Sequence, residues 1–210
     1  MSHQSDLWAI IPVKPLRRAK SRLARALRAD QRSALARALF ARTLDVLGSV
    51  DRIAGIVVVS RDLTAHDLAR ARRATPLAET EAGLNSAIAQ ACDWVSARGA
   101  SAMLVVPTDL PLLTPLDVES MIDLAVEPAC IVIAPDRRDA GTNALLARPP
   151  HAIRPAFGAA SFEAHRRQAA RSGIAAHVFR SATIALDLDV PDDLRRYEQV
   201  VRTQNVSGRT

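Results

Sequence analysis

The sequence predicts an α/β domain built on a mostly parallel sheet covered by helices on both faces. Short apolar runs of strand length recur at residues 7–13, 53–59, 102–106 and 129–134. They are apolar throughout rather than alternating, as strands buried on both faces must be. Between them lie stretches with apolar residues at helical spacing, so that strand and helix alternate as in βαβ units. Ligands in such open sheets bind beyond the carboxyl ends of the strands, which directs attention to the residues that follow each run.

The elements follow in order. Residues 7–13 are apolar and closed by Pro15, as a buried strand should be. Leu35, Leu39, Thr43, Val46, Leu47 and Val50 then mark an amphipathic helix that ends near Gly48, with arginines on its outer face. Residues 53–59 form a second strand and 63–73 a short polar helix. Leu84, Ile88, Ala91, Cys92 and Val95 make the stripe of another helix, ended by Gly99, before the strand at 102–106. Thr114, Pro115 and Asp117 supply an N-cap, a first-turn proline and an acidic first turn for a helix to about Ala125. Residues 129–134 are the fourth strand, and 143–147 have the length of a short fifth. A basic helix at 161–172 precedes apolar pieces at 175–179 and 183–188, and Pro191 opens a last helix to about Val201. The expected domain is 1–202, with residues 203–210 as a disordered tail because they lack a periodic apolar pattern.

With 210 residues and 49% hydrophobic content the chain can bury one substantial core. No run reaches the roughly 18 to 20 apolar residues of a membrane span, and the N-terminal stretch lacks a basic segment followed by a cleavable apolar one. A soluble, cytoplasmic protein is expected. Cys92 and Cys130 lack zinc or disulfide spacing and read as buried free thiols. The net charge is +6, yet aromatic residues make up only 3% and the arginines are scattered along helices. That pattern argues against nucleic acid and for phosphorylated small molecules. Of 28 basic residues only Lys14 and Lys20 are lysines, and both fall in one loop after the first strand. A compact ammonium fits among phosphate oxygens where a broad guanidinium does not.

That loop, PVKPLRRAKSRLA, holds Lys14, Arg17, Arg18, Lys20 and Arg22. So dense a group of cations calls for polyanionic charge or solvent among them. It contains neither the P-loop nor the dinucleotide fingerprint. Asp109 follows the strand at 102–106 in PTDLP, where prolines restrict the backbone on either side. It suits either a magnesium ligand or a turn aspartate bonded to its own backbone. Asp187 and Asp189 in ALDLDVP point to one face if the strand continues through them, so both reach a shared ion, although Asp189 also stands where a cap of the last helix would. Gly158 and Ser161 precede a helix whose free N–H groups form a natural anion site, unless Ser161 is a plain N-cap. Gly141 allows close backbone approach beside Thr142 and Asn143. The five histidines are dispersed and none reads as a base. No serine sits in a nucleophile elbow.

Taken in order, IPVKPLRRAKSRLA, EAGLNSAI, VVPTDLPLL, GTNALL, FGAASF and ALDLDVPDDL resemble the motif series of the 2-phospho-L-lactate/phosphoenolpyruvate guanylyltransferases of coenzyme F420 biosynthesis, from about Ile10 to Leu194. The resemblance implies the GT-A-like, Rossmann-like nucleotidyltransferase fold. It also implies transfer of GMP from GTP to 2-phospholactate, phosphoenolpyruvate or 3-phosphoglycerate, with release of pyrophosphate. By that similarity Lys14, Arg18, Lys20 and Arg22 handle the GTP phosphates, with Lys20 and Asp109 as the catalytic pair. Asp109 holds Mg2+ with Asp187 or Asp189. Gly83, Leu84 and Asn85 lie near the base, and Thr142, Gly158 and Ser161 grip the phospho-acid. The downstream F420 transferase is a partner the pathway implies, while nucleic acid and membrane are not. One departure stands out. A glycine-proline-glycine-serine run of the family appears as Gly158, Ala159, Ala160 and Ser161, which places a methyl group beside the acceptor. The alternatives are another nucleotidyltransferase of this fold acting on a sugar phosphate or molybdopterin-type cofactor, and a non-catalytic nucleotide-sensing domain.

Overall fold

The computed structural model describes residues 6–207, with the side chains of Arg18 and of residues 204–207 outside the description. The described strands are β1 (Leu7–Val13), β2 (Gly55–Ser60), β3 (Thr75–Ala78), β4 (Ala102–Val105), β5 (Cys130–Pro135), β6 (Thr142–Arg148) and β7 (Ala175–Val178). They form one sheet in the order β3-β2-β1-β4-β6-β5-β7. β1 pairs in parallel with β2 and β4, β2 with β3, and β5 with β7. Only β6 runs against its neighbours β4 and β5. The sheet is therefore mostly parallel, and every strand except β6 ends at the same edge.

Strand alternation divides the core in two. Ala9, Ile11, Val58, Leu104 and Val132 face α1 (Ala29–Gly48), α2 (Leu63–Ala71) and α4 (Pro115–Leu124), where Phe40, Leu44, Ala69 and Met121 cover them. Ile10, Val57, Met103 and Ile131 face α3 (Leu84–Ser96) and α5 (Ser161–Arg171) through Ile88, Ala91, Val95 and Phe162. Helices thus cover both faces. Cys92 and Cys130 are free and buried, and burial pushes the Cys92 thiol up to about 12. Among the described residues no helix is long and apolar enough to cross a membrane.

The structure departs from the sequence reading in three elements. β3 was not expected, because it is four residues long and contains Pro76, which donates no ladder hydrogen bond. Its place at the sheet edge explains why proline is tolerated. Residues 183–188 do not continue as a strand. A single helical turn, α6 (Ala182–Ala185), stands at their start, capped by Ser181 and held by the Asn143 amide, which donates to the Ile184 carbonyl at 2.8 Å. The last helix, α7 (Pro191–Ser207), passes Val201, so the backbone of residues 203–207 is helical where a disordered tail was expected; residues 208–210 lie outside the described residues.

The buried Asp117 carboxylate joins two of these elements. It accepts from the Thr114 backbone and hydroxyl at the start of α4 and from the Thr183 hydroxyl in α6, at 2.7 Å to one oxygen and 2.8 Å to the other. Truncation removes the reciprocal half of the capping box, leaving the Thr114 cap itself, and leaves the Thr114 N–H and Thr183 hydroxyl without this acceptor. Asp117→Ala is therefore expected to cost about 2–3 kcal/mol of stability, read as a lowered midpoint in urea unfolding. An unchanged midpoint would show that the network adds nothing to the fold.

Candidate active site

The carboxyl edge of the sheet carries the charged groups. Lys14 follows β1 and is exposed. Two 3-10 turns, Leu16–Arg18 and Ser21–Arg25, then fold the basic loop back over the sheet, with the buried Leu16 and Leu23 as anchors. The Leu16 N–H donates to Asp62 at 2.8 Å, which ties the loop to the start of α2. Between the turns Lys20 takes a left-handed backbone conformation, φ 56°. In a non-glycine residue this costs about 1–2 kcal/mol, and such strain concentrates at functional sites. Its side chain is only 8% exposed, with Nζ 3.3 Å from Asp189 Oδ1 and 3.9 Å from Asp109 Oδ2. The exposed Arg22 reaches Asp189 Oδ2 at 3.9 Å.

Asp109 follows β4, and its backbone carbonyl accepts the Leu188 N–H at 2.9 Å, which draws residues 187–189 against it. The question of whether Asp189 caps the last helix resolves in favour of Asp193. That buried carboxylate accepts the N–H groups of Asp189 and Val190, at 3.1 and 2.9 Å, and pairs with Arg137. The Asp189 side chain is left to face Lys20 and Arg22. Burial raises the Asp109 carboxyl above its ordinary range against the pull of Lys20, and Asp189 raises it further. Asp187 is pushed up to about 6, first by burial and then by Asp109, with smaller contributions from Asp189 and Asp193. At Asp109 the pull of Lys20 outweighs the repulsion from Asp189, and at Asp187 the repulsion from the other carboxylates adds to burial.

Among the described residues no three or more acidic, histidine or cysteine side chains form a ready-made metal cage. Magnesium needs none. It binds through one or two carboxylates and completes its shell with water and substrate phosphates. The mutually repelling oxygens of Asp109, Asp187 and Asp189 are a donor set that fits such a hard cation.

Two adjoining cavities lie along the sheet edge beside this cluster. One, of about 150 Å³, is lined by Lys14, Lys20, Pro107, Asp109 and Asp189. The other, of about 300 Å³, lies between Val13, Val59, Glu79, Gly83 and Leu84. They share Pro12, Lys14 and Leu84 and so form one trough along the sheet edge. Gly83 stands before α3 with φ 142°, a conformation that favours glycine. Asn85 is differently engaged from its neighbours. Its amide accepts the Phe157 N–H at 2.7 Å and donates to the Phe157 carbonyl at 3.0 Å, fastening the start of α3 to the 156–158 loop.

That loop leads to the third group. The Phe162 N–H donates to the Ala140 carbonyl, which brings the start of α5 beside the start of β6. At this bend a Cβ on Gly141 would lie 2.8 Å from an Asp136 carboxylate oxygen, so a larger residue would require the Asp136 side chain to shift. Ser161 is 1% exposed and its hydroxyl has no hydrogen-bond partner within the protein. A buried hydroxyl left unpaired costs about 1–3 kcal/mol, so this one stands ready for a ligand at the positive end of an eleven-residue helix.

His165, one turn further on, organises the same group and was not expected to matter. It is fully buried, and its Nε2 accepts the Ala156 N–H at 3.1 Å. Nδ1 must then carry the proton and donate to the Thr142 hydroxyl at 3.1 Å. The Thr142 hydrogen is thereby left for another acceptor. The only signal in the sequence was the four-residue spacing from Ser161, which puts both side chains on one helix face.

Burial holds His165 down to about 4, below its ordinary 6.5. A folded pKa below the unfolded one means that stability is intact above the unfolded value and is lost as pH falls between the two. By pH 5 the loss from this residue should reach about 2 kcal/mol, seen as an acid slope in urea midpoints that His165→Gln lacks; identical slopes would contradict the assignment. Ala160 has φ 57° and is exposed. The family's glycine at this position therefore has a conformational reason. Ala160→Gly is expected to raise stability by up to about 1 kcal/mol, measured as a higher Tm. A lower Tm would place the methyl group in a packing role instead.

A family model described as "Guanylyl transferase CofC like" matches residues 7–202. A phosphoenolpyruvate guanylyltransferase of Rubrobacter xylanophilus is 39% identical over 92% of this chain and 94% of its own. A 3-phospho-D-glycerate guanylyltransferase of Colwellia psychrerythraea is 34% identical over 88% of each protein, taken over 185 residues of this chain. In architecture the chain is similar to a crystal structure described as a putative nucleotide-diphospho-sugar transferase from Desulfovibrio desulfuricans. The TM-score is 0.74 at 17% identity, with 90% of this chain and 85% of that one covered.

Proposed function

The chain belongs to the CofC-like guanylyl transferase family, and from that membership we propose that it transfers GMP from GTP to the phosphate of a three-carbon phospho-acid in coenzyme F420 biosynthesis. The observation that carries the reading is the placement of Lys20 between Asp109 and Asp189 in a trough along the carboxyl edge of the sheet. Cation and carboxylates together suit a triphosphate with its metal.

In the reaction an oxygen of the acceptor phosphate attacks the α-phosphorus of GTP, and the bond from that phosphorus to the bridging oxygen breaks to release pyrophosphate. The attacking oxygen is already anionic at neutral pH, so no general base is required. This agrees with a site in which the one well-placed histidine is buried and neutral. Catalysis must instead bring two polyanions together. Lys20 is placed for the α-phosphate, where its ammonium stabilises charge that develops as the bond breaks. Lys14, Arg18 and Arg22 serve the remaining phosphates. Mg2+, held by Asp109 with Asp187 or Asp189, would neutralise phosphate charge when bound. Gly83 and Leu84 form the wall for the base. Thr142, Gly158 and Ser161 receive the acceptor, and the two hydroxyls offer hydrogens to its anionic oxygens.

The relatives' names favour phosphoenolpyruvate as the acceptor, with 3-phosphoglycerate as the nearest competitor. The product carries a reactive diphosphate linkage, which suits direct use by the downstream F420 transferase. Mass spectrometry of reactions containing GTP, Mg2+ and either 2-phospholactate, phosphoenolpyruvate or 3-phosphoglycerate should show one guanylylated acid and pyrophosphate. Asp109→Ala should abolish it, and Lys20→Met should lower kcat by about 100-fold or more. GTP binding without product from any acceptor would instead favour a nucleotide-sensing role.

A further inference from the structure

We propose that Glu79, assisted by Arg61, reads the nucleotide base and selects guanine. This rests on the reading that GTP lies in the trough. Ser60 and Ala78 are paired residues at the ends of the adjacent strands β2 and β3, so the residues that follow, Arg61 and Glu79, stand side by side at the sheet edge. The Glu79 backbone N–H also bonds to the Ser60 carbonyl at 3.0 Å. Both residues line the 300 Å³ cavity, whose other walls include Val13, Val59 and Leu84. Apolar walls with a charged pair at one end suit a flat heterocycle with one polar edge.

The Glu79 side chain is only 9% exposed. One oxygen accepts from Arg61 Nε at 3.0 Å and the other from the Gly83 N–H at 3.2 Å. These bonds fix the carboxylate, and each oxygen keeps a further lone pair. Guanine presents two adjacent donors, N1–H and the 2-amino group, which a carboxylate accepts together. Its O6 and N7 acceptors suit a guanidinium. Adenine would set its N1 lone pair against the carboxylate. Hypoxanthine keeps N1–H and O6 but lacks the 2-amino group, so inosine triphosphate isolates the contact assigned to Glu79. A carboxylate that served only to clamp Gly83 would not care which purine entered.

The test is displacement of a fluorescent GTP analogue from the Mg2+-loaded protein by GTP, ITP and ATP. The wild type should prefer GTP over ITP by about tenfold and over ATP by about 100-fold. Glu79→Gln retains an oxygen for the Gly83 N–H. It should weaken GTP by about tenfold and shrink the GTP to ITP ratio to about threefold or less. Arg61→Ala, at a half-exposed position that tolerates truncation, should weaken GTP and ITP alike and leave their ratio unchanged. A wild type that binds GTP and ITP equally would overturn the proposal, as would Glu79→Gln with its preference intact. If Glu79→Gln fails to fold, Arg61→Ala decides: the GTP to ATP ratio must fall, and an unchanged ratio counts against the pair. Base selection without any guanylylated product would sustain this inference and defeat only the acceptor reading.

Discussion

One ammonium between carboxylates governs the sheet edge. Lys20 is nearly buried, and its contact with Asp189 and approach to Asp109 pull against the burial that raises the Asp109 carboxyl, while burial first and Asp109 second push Asp187 up to about 6. Such a cluster is unfavourable by itself. It persists because the surrounding backbone over-determines it: β4 ends at Asp109, the Leu188 N–H is bonded to its carbonyl, and Asp193 holds the N–H groups on either side of the turn into α7.

The antiparallel strand gives the second half of the site its position. β6 starts at the edge where the parallel strands end, so Thr142 stands among the residues that follow those strands although it opens its own. His165 then links Thr142 to Ala156, and Asn85 links Phe157 to α3. Thr142, the 156–158 loop and the wall of the trough are thus joined by hydrogen bonds between buried or half-buried groups. Asn85 therefore fastens the 156–158 loop to the start of α3.

The strands buried on both faces were legible in the sequence because nothing but apolar residues serves there. β3 was not, since an edge strand with a proline carries no such signature, and α6 was not, since the Asn143 amide that holds it lies some forty positions away in the chain. The charged groups that the structure gathers, Lys20, Asp109 and Asp189, were singled out by their places after apolar runs. Their division of labour was beyond reach: only the fold shows that Asp193 caps the turn and leaves Asp189 to Lys20. Glu79 and Arg61 escaped notice because they follow an unrecognised edge strand and its neighbour. Asn85 was expected beside the base, and its amide is instead engaged with the Phe157 backbone.

The claim that the carboxylates are arranged for a metal-bound triphosphate is tested most directly by calorimetric titration of GTP with and without Mg2+, in the wild type and in Asp109→Asn. In the wild type, removal of the metal should weaken GTP by about tenfold or more, because bare phosphates meet uncompensated carboxylates. Asp109→Asn should bind metal-free GTP at least as tightly as the wild type does, and should gain only about threefold or less from Mg2+. A full magnesium gain in the variant would show that Asp109 does not hold the ion and would contradict the account.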